Sequence, residues 1–324
     1  MLPAHGSVLD RPKSIPSGAA AGPLAPPCWI CGATQTLIWK ERSLDRPLDP
    51  EDLRITDSRY GTTLALWKCP SCDFIFAHGD DVARLTELYA HLDDPAYADG
   101  ENNRALQMRQ LIQTAQQIHP HARTLLDVGA ATGLLVSEAA TLGLDAEGVE
   151  PSRALAARAR ARGVRVHTGT LPHPALGNPH FDIVCLVDVI EHVGDPLGLL
   201  RAAASYLAPT GVLLLVTPDV ASLAARLLGQ RWWHFRLAHV CYFNQQSIET
   251  AFRLSGLAIR QQRRARWFFD VGYLATRMER YLPVGGLNRM VQRIPGLRAA
   301  YSLVIPLNLH DSFLFVLSHR DGIA

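Results

Sequence analysis

The sequence predicts an α/β protein: a doubly wound, mostly parallel sheet preceded by a small cysteine-knuckle region and a pair of helices. Three observations carry this. From Thr124 onward, short apolar runs alternate with helical segments, the pattern of parallel strands joined by crossover helices. One run, Leu125-Leu126-Asp127-Val128, ends on Gly129 where a helix opens. Cys28, Cys31, Cys69 and Cys72 form two C-x-x-C pairs, the spacing with which two knuckles share one tetrahedral zinc ion.

The elements follow in order. Residues 1–26 hold Pro3, Pro12, Pro16, Pro23 and Pro26 among Ala, Gly and Ser; such a stretch buries too little apolar surface to offset its ordering entropy and reads as a disordered tail. Residues 27–79 read as a zinc-ribbon region, with strand-like Leu37 to Trp39 and Leu64 to Trp67 beside the knuckles. Asp80 to His119 is helical and polar, split by Asp93-Asp94-Pro95. Then come strand 125–128, helix 132–142, strand 146–149, helix 153–162, strands 164–167 and 181–187, helix 196–207 and the all-Val/Leu strand 212–216. Helix 246–255, strand 257–263 and a last strand 312–318 complete the domain 121–324, with an insertion at 265–310.

Composition excludes several classes. The 324 residues suit one large domain or two. Lys and Arg number 32 against 30 Asp and Glu, a balance that argues against a polybasic nucleic-acid wrapper. Six cysteines are too few for a disulfide scaffold. No run approaches the roughly 20 apolar residues of a membrane span, and the N-terminus lacks a secretory pattern, so a soluble, cytoplasmic protein is expected.

Gly129 lets the chain turn sharply and a ligand approach the backbone, while Gly133 permits close helix packing. Glu150 closes the second strand 21 residues after Gly129, where a carboxylate can accept both hydroxyls of a ribose. The dinucleotide fingerprint needs G-x-G-x-x-G to cradle a pyrophosphate; here the middle glycine is Ala131 and the last is displaced. A nucleoside without phosphates fits better, and S-adenosylmethionine is one.

The series LLDVGAATG, GVEPS, FDIVCLVDVIEHVGDP and GVLLLVTPD resembles the class I S-adenosylmethionine-dependent methyltransferases, in the branch of ubiquinone-type O-methyltransferases and sugar- or polysaccharide-associated methyltransferases. The likeness is close over about residues 121–260. It implies a Rossmann-like, seven-stranded sheet, with residues 80–120 as lid helices over the cofactor. It further implies that Asp127 and the backbone of Gly129 and Ala130 face the methionyl part and that Glu150 holds the ribose. Pro151 would lie against the adenine, with Thr170 and Leu171 bordering it. Val187 and Asp188 would border the methionyl amine and the reacting sulfur. Tyr97 and Arg104 are the lid residues expected to touch substrate.

For a hydroxyl acceptor a base near neutral pKa helps, and His239 and His192 are the candidates. Each has a plainer reading: His239 as a hydrogen-bonded histidine that orders its loop, His192 as a helix N-terminal histidine paired with a neighbour. His234, flanked by aromatics, reads as packing. Asp188, Glu191 and His192 at i, i+3, i+4 would share one side of a helical turn and could hold a magnesium ion; a similar arrangement is associated with a divalent metal in ubiquinone-type enzymes, while relatives without metal carry an EHV-like segment too. The four cysteines leave no open position, so their zinc is expected to be structural. The leading expectation is methyl transfer to a hydroxyl oxygen of a small-molecule acceptor, sugar-containing or another secondary metabolite. The alternatives are C- or N-methylation, RNA methylation with the ribbon as grip, or a scaffold without turnover. Nucleic acid is disfavoured by the mixed charge of the ribbon. Arg260, Arg263, Arg264 and Arg266 before Trp267-Phe268-Phe269 leave a contact with membrane or a lipid-linked substrate open, against the plainer reading of a solvent-facing strand edge.

Overall fold

Two short C-x-x-C turns start the architecture. The computed structural model describes residues 25–54, 60–94, 101–176, 180–278 and 301–320; nearly all of the N-terminal tail, together with Tyr97 and residues 279–300, lies outside them. Strands β1 (Leu37–Lys40), β2 (Leu66–Lys68) and β3 (Ile75–Ala77) form an antiparallel meander beside the knuckles. Helices α1 (Asp80–Tyr89) and α2 (Glu101–Ile118) follow.

The central sheet then builds by crossover. Strand β4 (Thr124–Val128) leads to α3 (Leu134–Thr141), β5 (Asp145–Glu150) to α4 (Arg153–Ala161), and β6 (Val166–Thr168) to β7 (Phe181–Val187). Helix α5 (Pro196–Ser205) feeds β8 (Leu207–Pro218), which extends well beyond its all-Val/Leu centre. Caps set the helix starts: Ser152 accepts from the Leu155 amide, and Asp195 accepts from Gly198 with Pro196 in the first turn. Next come α6 (Leu223–Leu228), β9 (Cys241–Tyr242), α7 (Gln245–Leu254) and β10 (Leu257–Arg264). The insertion supplies β11 (Trp267–Asp270), α8 (Val271–Met278) and β12 (Val304–Leu307), and β13 (Ser312–His319) ends the domain.

The seven strands run in the order β6-β5-β4-β7-β8-β13-β10. The first five are parallel, β13 is antiparallel to β8, and β10 is antiparallel to β13. The order reverses between β4 and β7, and in such sheets the crevice outside the strand ends at that point receives the ligand. Strand β10 is an edge with Arg260 and Arg263 exposed, whereas Arg264 is half-buried, pairing with Asp219 at 2.7 Å and lying over the Phe313 ring.

The ribbon shares the core of one sheet face. Its buried Leu66, Phe74 and Phe76 belong to one apolar cluster with Leu126, Leu186 and Phe313. The other face packs Leu111, Ile112 and Ala115 of α2 against Leu125, Leu135 and Ile183. Among the described residues, no helix is long and apolar enough to cross a membrane.

Candidate active site

At the end of β4 the chain enters left-handed backbone three times, at Gly129 (φ +79°), Ala131 (φ +46°) and Gly133 (φ +78°). A Cβ on Gly129 would lie 2.6 Å from a Val189 methyl, and one on Gly133 would lie 2.7 Å from Val164, so both positions are closed to larger residues. The left-handed turn at Ala131 aims its amide at Glu150, 2.8 Å away, and the other carboxylate oxygen accepts the Ser152 amide at 2.7 Å. Glu150 is wholly buried. Burial pushes its pKa up to about 7 against the pull of those two amides. Asp127 is pushed up to about 7 as well, first by burial and then by the charge of Glu150.

A cavity of about 240 Å³ opens at the switch point. Of the sequence-predicted residues, Asp127, Gly129, Ala130, Val187 and Asp188 line it, as do His192, His239 and Arg104. Gly133, Glu150, Pro151, Thr170 and Leu171, the other residues expected to bind the cofactor, are not on its wall; Glu150 stands behind Ala131. The small residues at 129–131 leave room for a ligand against the backbone, and Asp127 presents a carboxylate to it, which suits the methionyl end of the cofactor.

The far wall is built by the turn after β7. Asp188 has φ +53°, and the 3-10 turn starts only at Ile190. The predicted helical register of Asp188 with Glu191 and His192 is therefore broken, and Asp188 does not join them. His239 takes its place: the ligand-capable atoms of Glu191, His192 and His239 all lie within 4.8 Å of one another. Thr217 donates to one Glu191 oxygen at 3.0 Å. The other Glu191 oxygen, Nδ1 of His239 and Oδ1 of Asp188 are buried without hydrogen-bond partners. Nδ1 of His192 donates to the Ala238 carbonyl at 2.9 Å, which leaves Nε2 as an acceptor. The His192 and His239 rings meet edge to face, centroids 4.7 Å apart.

Electrostatics hold both imidazoles of this wall neutral. Burial, then the Arg236 guanidinium, pushes His192 down to about 4. Burial and neighbouring His192 hold His239 well below the ordinary range. Burial and Asp188 hold Glu191 well above its ordinary range, and burial with Asp311 pushes Asp188 up to about 7. Neutral imidazoles beside an orphaned carboxylate oxygen are a metal-competent donor set, so the residues fit a divalent ion on Glu191, His192 and His239.

Several wall residues escape sequence reading. His234 is more than packing: it stands 3.4 Å from Asp311 and lines the cavity. Arg236, Leu53, Tyr89, Met108 and Trp267 also line it. His234 and His239 mark this loop in the sequence, but nothing local links it to Asp311 or Leu53.

The cysteines converge as their spacing requires. Sγ of Cys28 lies 3.5 Å from Cys72, and Cys31 lies 3.5 Å from Cys69. A tetrahedral Cys₄ zinc with Zn–S near 2.3 Å would set sulfur separations of roughly 3.8 Å, so the cluster fits zinc. The thiol of Cys72 hydrogen-bonds Cys28 and pushes its pKa down.

A family model described as a methyltransferase domain matches residues 101–262. A ubiquinone biosynthesis O-methyltransferase of Azorhizobium caulinodans is 34% identical over 116 residues, 33% of this chain and 46% of that protein. Its counterpart in Rhodopseudomonas palustris is 31% identical over 121 residues, 36% of this chain and 44% of that one. The chain thus spans about half the length of the curated relatives it matches. Among solved structures, a sugar N-methyltransferase from Streptoalloteichus is 29% identical over 37% of this chain and 49% of its own, with a TM-score of 0.32. A Pyrococcus horikoshii protein is 15% identical over 75% of this chain and 100% of its own, with a TM-score of 0.46.

Proposed function

The chain belongs to the methyltransferase-domain family, and from that premise we propose that it transfers the methyl group of S-adenosylmethionine to a hydroxyl oxygen of a small-molecule acceptor, sugar-containing or another secondary metabolite. One observation carries the reading: Glu191, His192 and His239 converge on the same cavity as the glycine loop, with two of their polar atoms buried and unpartnered. Such atoms cost stability unless a ligand uses them.

When bound, S-adenosylmethionine supplies a methyl group made electrophilic by its sulfonium. The chain's own part is to align, to exclude water and to handle one proton. Asp127 offers its carboxylate to the methionyl amine, and Gly129 and Ala130 admit the chain of the cofactor against the backbone. Arg104 of α2 reaches the cavity from the lid side and suits a carboxylate, of cofactor or acceptor. Glu150 braces the loop from behind, accepting the Ala131 and Ser152 amides. Alignment of this kind contributes roughly 7–11 kcal/mol to lowering a barrier.

His239, at the cavity wall with Nδ1 unpartnered, holds the acceptor hydroxyl and takes its proton. The depressed pKa makes it a weak base in water, so a divalent ion on Glu191, His192 and His239 is the second reading, favoured by their mutual distances. There it would lower the pKa of the acceptor hydroxyl. The zinc of the cysteine cluster is structural.

The test is incorporation of labelled methyl from S-adenosylmethionine into candidate acceptor pools. O-methyl products support the reading. N- or C-methyl products replace the nucleophile, and labelled RNA replaces the acceptor class. Turnover unchanged after exhaustive EDTA dialysis removes the divalent ion.

A further inference from the structure

The fourth strand of the ribbon sheet does not come from the ribbon. Its order is β1-β2-β3-β9, and β9 begins two residues after His239. Strand β3, which follows the second cysteine knuckle, pairs antiparallel with β9 through Ile75–Tyr242 and Phe76–Cys241. The Ala77 amide donates to the Val240 carbonyl at 2.8 Å, and the Val240 amide donates to the Glu191 carbonyl at 2.9 Å. The residue next to His239 is thus held between the ribbon on one side and the Glu191 turn on the other.

The knuckle grips the same segment again further on. Asp73, at φ +62° directly after Cys72, accepts from the Asn244 side chain at 2.6 Å on its carboxylate and 3.3 Å on its carbonyl. Gln246 donates to the Ser71 carbonyl at 3.2 Å, between the two cysteines. Phe74 packs on Phe243 with ring centroids 5.0 Å apart.

We infer that the second cysteine knuckle positions the transfer site: zinc at Cys28, Cys31, Cys69 and Cys72 fixes the 239–246 segment, and with it the placement of His239 against Glu191, while the cofactor loop is independent of it. Asp73 is the positioning residue that connects the two. The glycine loop hangs on β4 and β5 and draws no hydrogen bond from the ribbon among those described. The inference rests on the reading that His239 serves methyl transfer, but half of its test does not.

The experiment uses the full chain, zinc-loaded and zinc-depleted by a thiol-selective chelator, with Asp73→Gly and Asp73→Asn in the zinc-loaded state. Glycine tolerates the left-handed backbone and removes the carboxylate; asparagine keeps an acceptor. Amide exchange in peptides spanning 238–244 is expected to rise about tenfold or more on zinc loss and in Asp73→Gly, with 124–128 and 181–187 unchanged. S-adenosylhomocysteine affinity should move less than about threefold, and kcat should fall about tenfold with KM for S-adenosylmethionine unmoved, restored by Asp73→Asn. Unchanged exchange at 238–244 overturns the inference. So does equal loss of protection at 124–128, which makes zinc a staple of the whole fold. A zinc-loaded chain that binds no S-adenosylhomocysteine refutes the methyltransferase reading instead, and the exchange comparison still decides the positioning claim.

Discussion

Replacing Gly129 with alanine perturbs the site at its narrowest point. The backbone there has φ +79°, and a side chain in left-handed backbone costs roughly 1–2 kcal/mol. The added Cβ would stand 2.6 Å from one Val189 methyl, with the Val189 Cβ itself at 3.6 Å. Carbon atoms pack comfortably at about 3.5–4.0 Å, so the overlap approaches an ångström, and the stiff β-branched Val189, whose second methyl stands at 3.4 Å, has little freedom to rotate away. Overpacking of that kind costs about 1–3 kcal/mol. The sum is roughly 2–5 kcal/mol, or about 3–7 °C in melting temperature for a chain of this length. Val189 leads directly into the turn of Glu191 and His192, so pushing it out also displaces the far wall. Thermal unfolding and calorimetry with S-adenosylhomocysteine test this: Gly129→Ala should melt lower and bind at least about tenfold more weakly. Adding Val189→Ala should recover the overlap share, about 1–3 kcal/mol, and leave the backbone strain. A Gly129→Ala chain that melts and binds like the parent refutes the reasoning about this loop.

Other outcomes follow from the same geometry. His239→Ala should lower kcat by about 10²–10⁴ with KM for S-adenosylmethionine retained, measured by steady-state methyl transfer. Asp127 and Glu150 bind protons up to about pH 7 when folded but only to about 4 when unfolded. The folded chain holds more protons in that window, so their contribution is full below about pH 4 and is lost as pH rises through 7. Melting curves from pH 5 to 8 should show a fall that is shallower in Asp127→Asn. Metal analysis should find about one zinc per chain, and Cys72→Ser should abolish it.

The parts of this molecule legible in sequence are those whose cause is local. Val212–Val216 can only be a buried strand, Gly129 and Gly133 mark a turn by their positions, and the C-x-x-C spacing brings two thiolates to one turn. Arg104 fell on the cavity because its helix precedes the first strand of the sheet. What stayed hidden is non-local. Strand β9 has two residues and no periodicity, and its partner is β3, more than 160 residues earlier. The pairing of His234 with Asp311 joins a loop to the start of the last strand. The i, i+3, i+4 spacing of Asp188, Glu191 and His192 assumes a helix, while a left-handed residue at the strand end resets the register.

The shared strand has a bearing on where this polypeptide can be cut. The matched family segment starts at Glu101, yet a protein begun there would carry β9 with a bare edge, lacking Ile75 to Ala77 to cover it. The pocket would also be missing Leu53 and Tyr89 from its rim. Truncation at that border should yield sticky, poorly behaved material. Grafting the leading segment of one relative onto the body of another should reshape the cavity, because the front piece furnishes part of its rim.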